Sequence, residues 1–496
     1  MSDGARTTSL YTADQVRRVE RHAIDRFGIP GFDLMQRAAA AAYAVLRRRW
    51  PAARRVLLLV GEGGNGGDAL LLGTLALRDG LAVEALALSD RSTGDAAQAR
   101  AAFDRAGGRV RVADAAAEFG DADVCVDGLF GIGLSRPLDG VAAALVARLD
   151  ATRRPVLALD VPSGLDADTG ARLGPCVRAD ATVVFVAWKR GLFTADGAEA
   201  CGERELATLD VPLAAFEDVP ADADLLDASI AGVLAPRRDN ANKGHYGHVL
   251  AIGGDEGMGG AIRLAGEAAL RTGAGLVSVA TRPAQVAVAS AARPELMVRG
   301  VDDRSALDPL LARASVVAIG PGLGQAPWGR ALYDAALDCG KPLLLDADAL
   351  NLLARSPRAL PPSTVLTPHP GEAARLLGCD TATIQRDRYA AVRSLAQRYA
   401  AVAVLKGAGS LIADAHGRVA VCRWGNPGMA SGGMGDLLTG VVAGLLAQGL
   451  SAWDAARFGV ALHARAGDLA AADAPRGMIA GDLLAPLRHL VNRFEA

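Results

Sequence analysis

The stretch GNPGMASGGMGDLLTG (425–440) sets five glycines in eleven positions and then one carboxylate, Asp436, ahead of a long apolar run. Glycine lets a backbone close on a ligand, and the first turn of the helix that follows offers N–H groups to an anion. A phosphate suits such a place. A carboxylate beside it would repel that phosphate, so Asp436 reads better as a base for a hydroxyl that attacks phosphorus. The competing reading is an N-cap on a buried helix, for which Asp is a preferred residue. Three runs in the first half end on comparable chemistry. GEGGNGGD follows VLLLV (56–60), DGLFGIGL follows VCV, and DVPSGLDADTG follows LAL, so glycines and carboxylates gather where strands would end.

Holding such groups takes sheets. Continuous apolar runs at 56–60, 83–88, 156–161 and 182–188 read as strands buried on both faces, alternating with helix-like stretches. The pattern restarts with HVLAIGG at 248, VVAIGPG at 316, KPLLLDAD at 341 and VAVLKGAG at 402. Two α/β domains are expected, residues 1–217 and 236–496, joined by an acidic, Pro-containing linker at 218–235 without a long apolar period.

The 496 residues carry a net charge of −2, with Arg scattered and no basic block, which argues against nucleic acid as a partner. No apolar stretch is long enough to span a bilayer. Six cysteines without a C-x-x-C pair suggest neither a zinc site nor a disulfide framework, and fit a cytoplasmic protein. Only four of 53 basic residues are lysine: Lys189, Lys243, Lys341 and Lys406. A chain so biased to Arg draws attention to its remaining lysines, whose point charge is retuned by burial.

GNGGD, DGLFGIGL, DVPSGLDADTG and ADATVVFVAWKRG together resemble the NAD(P)H-hydrate epimerase family over residues 10–215. The resemblance implies a Rossmann-like three-layer α/β domain. It implies substrate contacts at Gly64, Asn65, Gly66, Gly67, Asp68, Gly131, Ile132, Gly133, Leu134, Ser135, Arg136, Pro137 and Asp160. It also implies K+ on Asn65, Asp127 and Ser163, hard oxygen ligands suited to an alkali cation. Lys189 and Asp160 are then the catalytic pair that manages proton movement at the hydrated ring carbon. The match departs from the family's usual residues at Gly64, Ala69, Gln36 and Arg37.

From KGHYGHVLAIGG through IGPGLG, LLLDADALN, LTPHPGE, VLKGAG and the opening stretch, residues 236–496 are similar to the ADP- or ATP-dependent NAD(P)H-hydrate dehydratases, which are ribokinase-like. Here Gly432, Gly433 and Gly435 would form an anion hole and Asp436 would be the base. Ala261, Gly324, His369 and Asp436 would contact the hydrate. Lys406, Gly407, Ala408, Gly409 and Ser410, with Gly435, would bind nucleotide. His369 and Glu372 match positions that organise phosphate and Mg2+ in related kinases, and Met434 stands where Ser or Thr is usual. The resemblances imply a bifunctional enzyme acting on NADHX and NADPHX with ADP, a homo-oligomer of the cytoplasm. The rival reading is a kinase for a sugar or hydroxymethylpyrimidine behind a non-catalytic scaffold domain.

Overall fold

A strand whose every residue is apolar can be buried only if both of its faces are covered, and the alternation of side chains shows how this is done. In the computed structural model, which describes residues 7–361, 363–472 and 474–495, Val56, Leu58 and Val60 of strand β1 (Arg55–Val60) join one core, and Leu57 and Leu59 join another on the opposite face. The chain divides into two units, one ending at Asp224 and the other beginning at Leu225.

The first unit continues with β2 (Ala82–Ala87), β3 (Val110–Val112), β4 (Val124–Gly128), β5 (Val156–Leu159), β6 (Ala181–Phe185) and β7 (Glu203–Ala207). The order across the sheet is β3-β2-β1-β4-β5-β6-β7, and every pairing is parallel. The order reverses between β1 and β4, and crevices for ligands form at such switch points beyond the C-terminal ends of strands. GNGGD follows β1 and LFGIGL follows β4, so two of the glycine motifs meet there. β6 ends at Phe185 because Val186 takes a left-handed φ of 65°. The chain then resumes as Trp188–Lys189, pairing in parallel with Leu10 and Tyr11.

The second unit has β8 (His248–Ile252), β9 (Leu276–Thr281), β10 (Met297–Gly300), β11 (Val316–Ile319), β12 (Leu343–Leu345), β13 (Thr364–Leu366), β14 (Val402–Leu405), β15 (Leu411–Ala413) and β16 (Val419–Val421). Their order is β10-β9-β8-β11-β12-β13-β14-β15-β16. Pairing is parallel up to β14, after which β15 and β16 turn back antiparallel. The helix Met434–Ala447 is buried over its last eleven residues. Its Gly440 admits the helix Gly259–Thr272, since a methyl group there would stand 2.7 Å from Ala268 Cβ.

The stretch expected as a linker, 218–235, holds the division between the two units and packs on both cores. Val219 is buried in the first unit's core, Leu226 and Ile230 are buried in the second's, and Ala228–Val233 is a 3-10 helix capped by Asp227. Its apolar residues are too few to show a period, but Val219, Ala223, Leu225, Leu226 and Ile230 are buried while Glu217, Asp218 and Asp224 face solvent. Among the described residues no helix is long and apolar enough to cross a membrane.

Candidate active sites

Gly64 to Asp68, which the sequence suggests as a loop, are the first residues of the helix Gly64–Arg78. Its N-cap is Gly63, and no side chain caps it. Around Gly63 and Gly64 nothing stands within 4 Å of where a side chain would begin, which leaves this end of the helix open. Gly66, Gly67 and Asp68 are buried behind it. Ala69, a departure from the family's glycine, is an ordinary helical residue with no exposed surface.

Asp160 follows β5 in a left-handed conformation, φ 63°. For a residue other than glycine this stores about 1–3 kcal/mol, which the surrounding contacts must outweigh. They do so at one oxygen. The Phe185 N–H donates to Asp160 Oδ1 at 3.1 Å, and the Lys189 ammonium forms an ion pair with the same atom. Lys189 is 1% exposed and also donates to the Phe185 carbonyl at 2.7 Å. The other oxygen, Oδ2, faces the glycine loop. A methyl group on Gly131 would stand 3.3 Å from it and 3.6 Å from Asn65 Oδ1. Asn65, Gly131 and Asp160 therefore converge, and Asn65 is oriented by its Nδ2 donating to the Leu159 carbonyl at 3.1 Å.

Asp127, at the end of β4, has no exposed surface. Its carboxylate accepts the Ser163 N–H at 2.7 Å, the Ser163 hydroxyl at 2.6 Å and the Leu129 N–H at 3.3 Å. Burial still pushes its pKa up to about 6, because hydrogen bonds offset only part of the desolvation. Among the described residues it has no ion-pair partner. A buried carboxylate beside a hydroxyl, with an amide from the neighbouring helix, is a set of hard oxygens fit for a monovalent cation. Of the remaining loop residues, Ile132 is tied down by Arg17, whose Nη2 donates to its carbonyl at 2.7 Å, and Leu134 packs on a core. Gly133, Ser135, Arg136 and Pro137 lie exposed along the same loop.

Sequence reasoning missed Glu20, on the helix Ala13–Asp25. Burial raises its pKa to about 7, with the Lys189 charge opposing and the Asp160 charge adding to the rise. Burial likewise holds the Asp68 carboxyl well above its ordinary range, with Asp160 and Glu20 adding to it. Glu20, Asp68, Asp160 and Lys189 thus share one electrostatic neighbourhood in which a single ammonium faces three carboxyl groups. The signal was present: Glu20 lies four residues after Val16 and three before Ala23, on the buried stripe.

In the second unit, the capping reading of Asp436 is excluded. The N-cap of the helix Met434–Ala447 is Gly433, at φ 89°, and no side chain caps the helix. Asp436 lies in the first turn, and nothing stands within 4 Å of a side chain built on Gly432. A methyl group on Gly435 would stand 3.3 Å from Lys406 Nζ. Lys406 thus reaches the glycine run, while Gly407, Ala408, Gly409 and Ser410 form the turn between β14 and β15, closed by the Ser410 hydroxyl donating to the Gly407 carbonyl at 3.0 Å.

Lys406 is held by Asp346, whose Oδ1 lies 2.7 Å from Nζ, and Glu372 Oε2 is 3.9 Å away. Thr439 donates to Asp346 Oδ2 at 2.8 Å. Burial works to lower the Lys406 pKa, but Asp346 and Glu372 outweigh it and leave it above its ordinary value. Asp346 is 1% exposed and was not among the expected site residues, although DAD directly after an apolar strand was its signal. Burial raises Asp436 to about 6, helped by Asp346 and opposed by Lys406. Burial raises Glu372 to about 7, opposed first by Lys406.

His369 caps the helix Pro370–Leu377. Its Nδ1 accepts the N–H groups of Gly371 and Glu372 at 3.0 and 3.3 Å, while Glu372 Oε2 accepts the His369 N–H at 2.8 Å. Nδ1 as an acceptor assigns the ring proton to Nε2, and burial, then Lys406 and Arg375, keep the imidazole below its ordinary pKa and neutral. Gly324 donates its N–H to Asp348 Oδ2 at 2.9 Å, and a methyl group on nearby Gly322 would stand 3.5 Å from Ala261 Cβ. Asn351 links the two groups, donating to Asp348 Oδ1 at 3.5 Å and accepting from Arg375 at 2.9 Å.

Three carboxylates about one ammonium leave negative charge in excess, a setting that favours a divalent cation. Among the described residues no three acidic, His or Cys side chains could hold a metal ion unaided. Mg2+ commonly keeps waters and phosphate oxygens alongside one or two carboxylates, so Asp346 and Glu372 fit it in that shared form.

Residues 249–488 match the family model described as NAD(P)H-hydrate dehydratase, and residues 31–191 match that described as YjeF-related protein N-terminus. The chain is 46% identical to a bifunctional NAD(P)H-hydrate repair enzyme of Coxiella burnetii, over 98% of its own length and 100% of that protein. It is 43% identical to the bifunctional NAD(P)H-hydrate repair enzyme of Escherichia coli, over 98% of this chain and 94% of that one. A ribokinase-like superfamily protein from Enterococcus faecalis superposes with a TM-score of 0.51 at 29% identity, covering 54% of this chain and 95% of that structure.

Proposed function

The chain belongs to the bifunctional NAD(P)H-hydrate repair enzymes, and from that premise we propose how its two sites divide the work. It is an epimerase and a dehydratase of NAD(P)H hydrate. The first unit interconverts the R and S hydrates, and the second returns the S hydrate to NAD(P)H at the expense of ADP, giving AMP and phosphate.

In the second unit Asp436 takes the proton of the hydrate hydroxyl as its oxygen attacks the β-phosphorus of ADP, and AMP leaves. The phosphorylated carbon then loses phosphate, the adjacent carbon loses a proton, and the ring double bond is restored. Water has in effect been removed as phosphate. Lys406 and the backbone of Gly432, Gly433 and Gly435 stabilise charge on the transferred group. His369, Ala261 and Gly324 orient the hydrate, and Gly407, Ala408, Gly409 and Ser410 hold the nucleotide. Asp346 and Glu372 would hold Mg2+, which would neutralise phosphate charge.

In the first unit Asp160 Oδ2 moves the proton at the hydrated ring carbon, with Lys189 paired to the other oxygen and fixing the carboxyl group in place. Asn65, Asp127 and Ser163 would hold K+, which would supply a fixed positive charge beside the anionic substrate. Gly64, Gly66, Gly67, Asp68 and the loop from Gly131 to Pro137 shape the dinucleotide site. Six cysteines with free thiols fit a cytoplasmic setting, and assembly as a homo-oligomer belongs to the same proposal.

The observation that carries this reading is Asp436 in the first turn of an uncapped helix with Lys406 beside it. A kinase for a stable alcohol would use the same pair, so the product decides. Full-length protein with ADP and mixed hydrates should restore the absorbance of the reduced cofactor and release one phosphate for each cofactor restored. A stably phosphorylated sugar or pyrimidine in place of free phosphate would establish the kinase instead.

A further inference from the structure

Arg282 stands immediately after β9 and is fixed on two sides. Its Nε donates to Asp255 Oδ1 at 2.7 Å, and its guanidinium carbon lies 4.4 Å from the centre of the Trp328 ring. Trp328 is itself locked, being 6% exposed with its indole N–H on the Val301 carbonyl at 2.8 Å. Asp255 is placed by its own backbone, which donates to the Gly322 carbonyl at 2.6 Å. Its Oδ2 would lie 2.7 Å from a methyl group on Gly324. The Arg282 guanidinium is therefore bound to Asp255, which abuts Gly324 and lies on the loop leading into the helix that carries Ala261.

One ion pair and one aromatic face account for Nε and for one face of the plane. The terminal Nη groups make no hydrogen bond among the described residues, and 27% of the side chain is exposed. An arginine kept merely for packing would direct those donors to carbonyls, as buried Arg388 does to Leu405 and Lys406. Arg282 instead holds a rigid pair of donors toward solvent beside the residues assigned to the hydrate. A planar fork of that kind matches phosphate oxygens in bidentate fashion.

We infer that Arg282 is a binding residue for a phosphate of the hydrated dinucleotide, with Asp255 and Trp328 positioning it. This rests on the reading of Ala261 and Gly324 as hydrate contacts. Two phosphate sources share the chemistry: the pyrophosphate, common to both hydrates, and the 2′-phosphate, present only in NADPHX.

The test is steady-state phosphate release by full-length R282Q and R282K with S-NADHX and S-NADPHX. R282Q should raise the KM for hydrate about tenfold or more, the fold-change of one lost charge-assisted contact. Its kcat and its KM for ADP should stay near those of the unaltered protein, and R282K, which keeps charge but not the fork, should fall between. An equal rise for both hydrates assigns the pyrophosphate, and a rise for NADPHX alone assigns the 2′-phosphate. Unchanged KM values, or a common loss in kcat and ADP affinity in both variants, would overturn the inference. The family reading fails separately, if the unaltered protein releases no phosphate with either hydrate.

Discussion

Lys406 and Asp346 form a part-buried ion pair at 2.7 Å whose second carboxylate oxygen is taken by Thr439 at 2.8 Å, so the ammonium is held at the helix turn that carries Asp436. The pair joins the end of β12 to the end of β14, two strands separated in the sheet by β13 alone. Breaking a buried pair from one side costs about 3–5 kcal/mol where both charges are fully buried. Lys406 retains 20% exposure, so solvent absorbs part of that cost here. Asp346→Asn should therefore fold, yet let Lys406 drift from the transferred group. Phosphate release should fall by about 10²-fold, the scale of one lost preorganised charge contact, with a smaller loss in Thr439→Val. Equal rates in Asp346→Asn and the unaltered protein would remove the pair from the mechanism.

Asp436→Asn should retain binding of ADP and hydrate but lose about 10²-fold or more in dehydration, the worth of a general base. The pH profile gives an independent reading. A base must be ionised, and Asp436 is raised to about 6, chiefly by burial. The kcat/KM for the S hydrate should fall as pH drops through about 6 and be level above it. A profile flat down to pH 4.5 would show that some other group takes the proton.

Potassium should act only on the first site. In Asp127→Asn the buried charge is gone while oxygen and shape remain, so the variant should fold without holding the cation. Replacing sodium with potassium should raise the melting temperature and the epimerisation rate of the unaltered protein, since a ligand that binds only the native state stabilises it. Neither should change in the variant. Equal responses from both proteins would place the cation elsewhere.

Much of this was legible in the residues, for definite reasons. Asp436 and the glycines before it are adjacent in sequence, so one helix terminus sufficed to combine them. DGLFGIGL and GNGGD follow strands that prove to be neighbours at a switch point, which a parallel sheet makes predictable. Asp346 and Glu20 escaped because their significance is tertiary. Asp346 lies 60 residues before Lys406 and is marked by no glycines. Glu20 looks like any helical Glu until the stripe Val16, Val19, Ala23 is seen to be buried. The arginine bias was the better guide, since Lys189 and Lys406 prove to be the lysines held by buried carboxylates.

Glu20→Gln tests the crowded carboxyl groups of the first unit through stability. The folded pKa of Glu20, about 7, lies above the ordinary 4.5, so the native state binds this proton more tightly than the unfolded chain does. The resulting stabilisation is present below pH 4.5 and is lost as pH rises through 7. Gln keeps the shape without the charge, so the variant should gain on the unaltered protein in urea denaturation at pH 8 and lose that gain near pH 4.5. The same gain at both pH values would show that Glu20 is solvated and outside the cluster.

The division of labour can be tested in the intact chain, because each catalytic group belongs to one unit. Lys189→Met removes the ammonium facing Glu20, Asp68 and Asp160, and leaves the second site untouched. With ADP and a mixture of hydrates, this variant should consume the S form at the unaltered rate and then slow to the spontaneous rate at which R becomes S. Asp436→Asn should do the reverse, equilibrating R and S with no nucleotide and restoring little cofactor. Mixing the two variants should recover complete consumption, since the hydrate can pass through solution between proteins. Gly64, Gln36, Arg37 and Ala69 enter at this point. If Asp436→Asn equilibrates the epimers no faster than buffer alone, those departures have silenced the first site, and the unit is a folded scaffold for an active dehydratase.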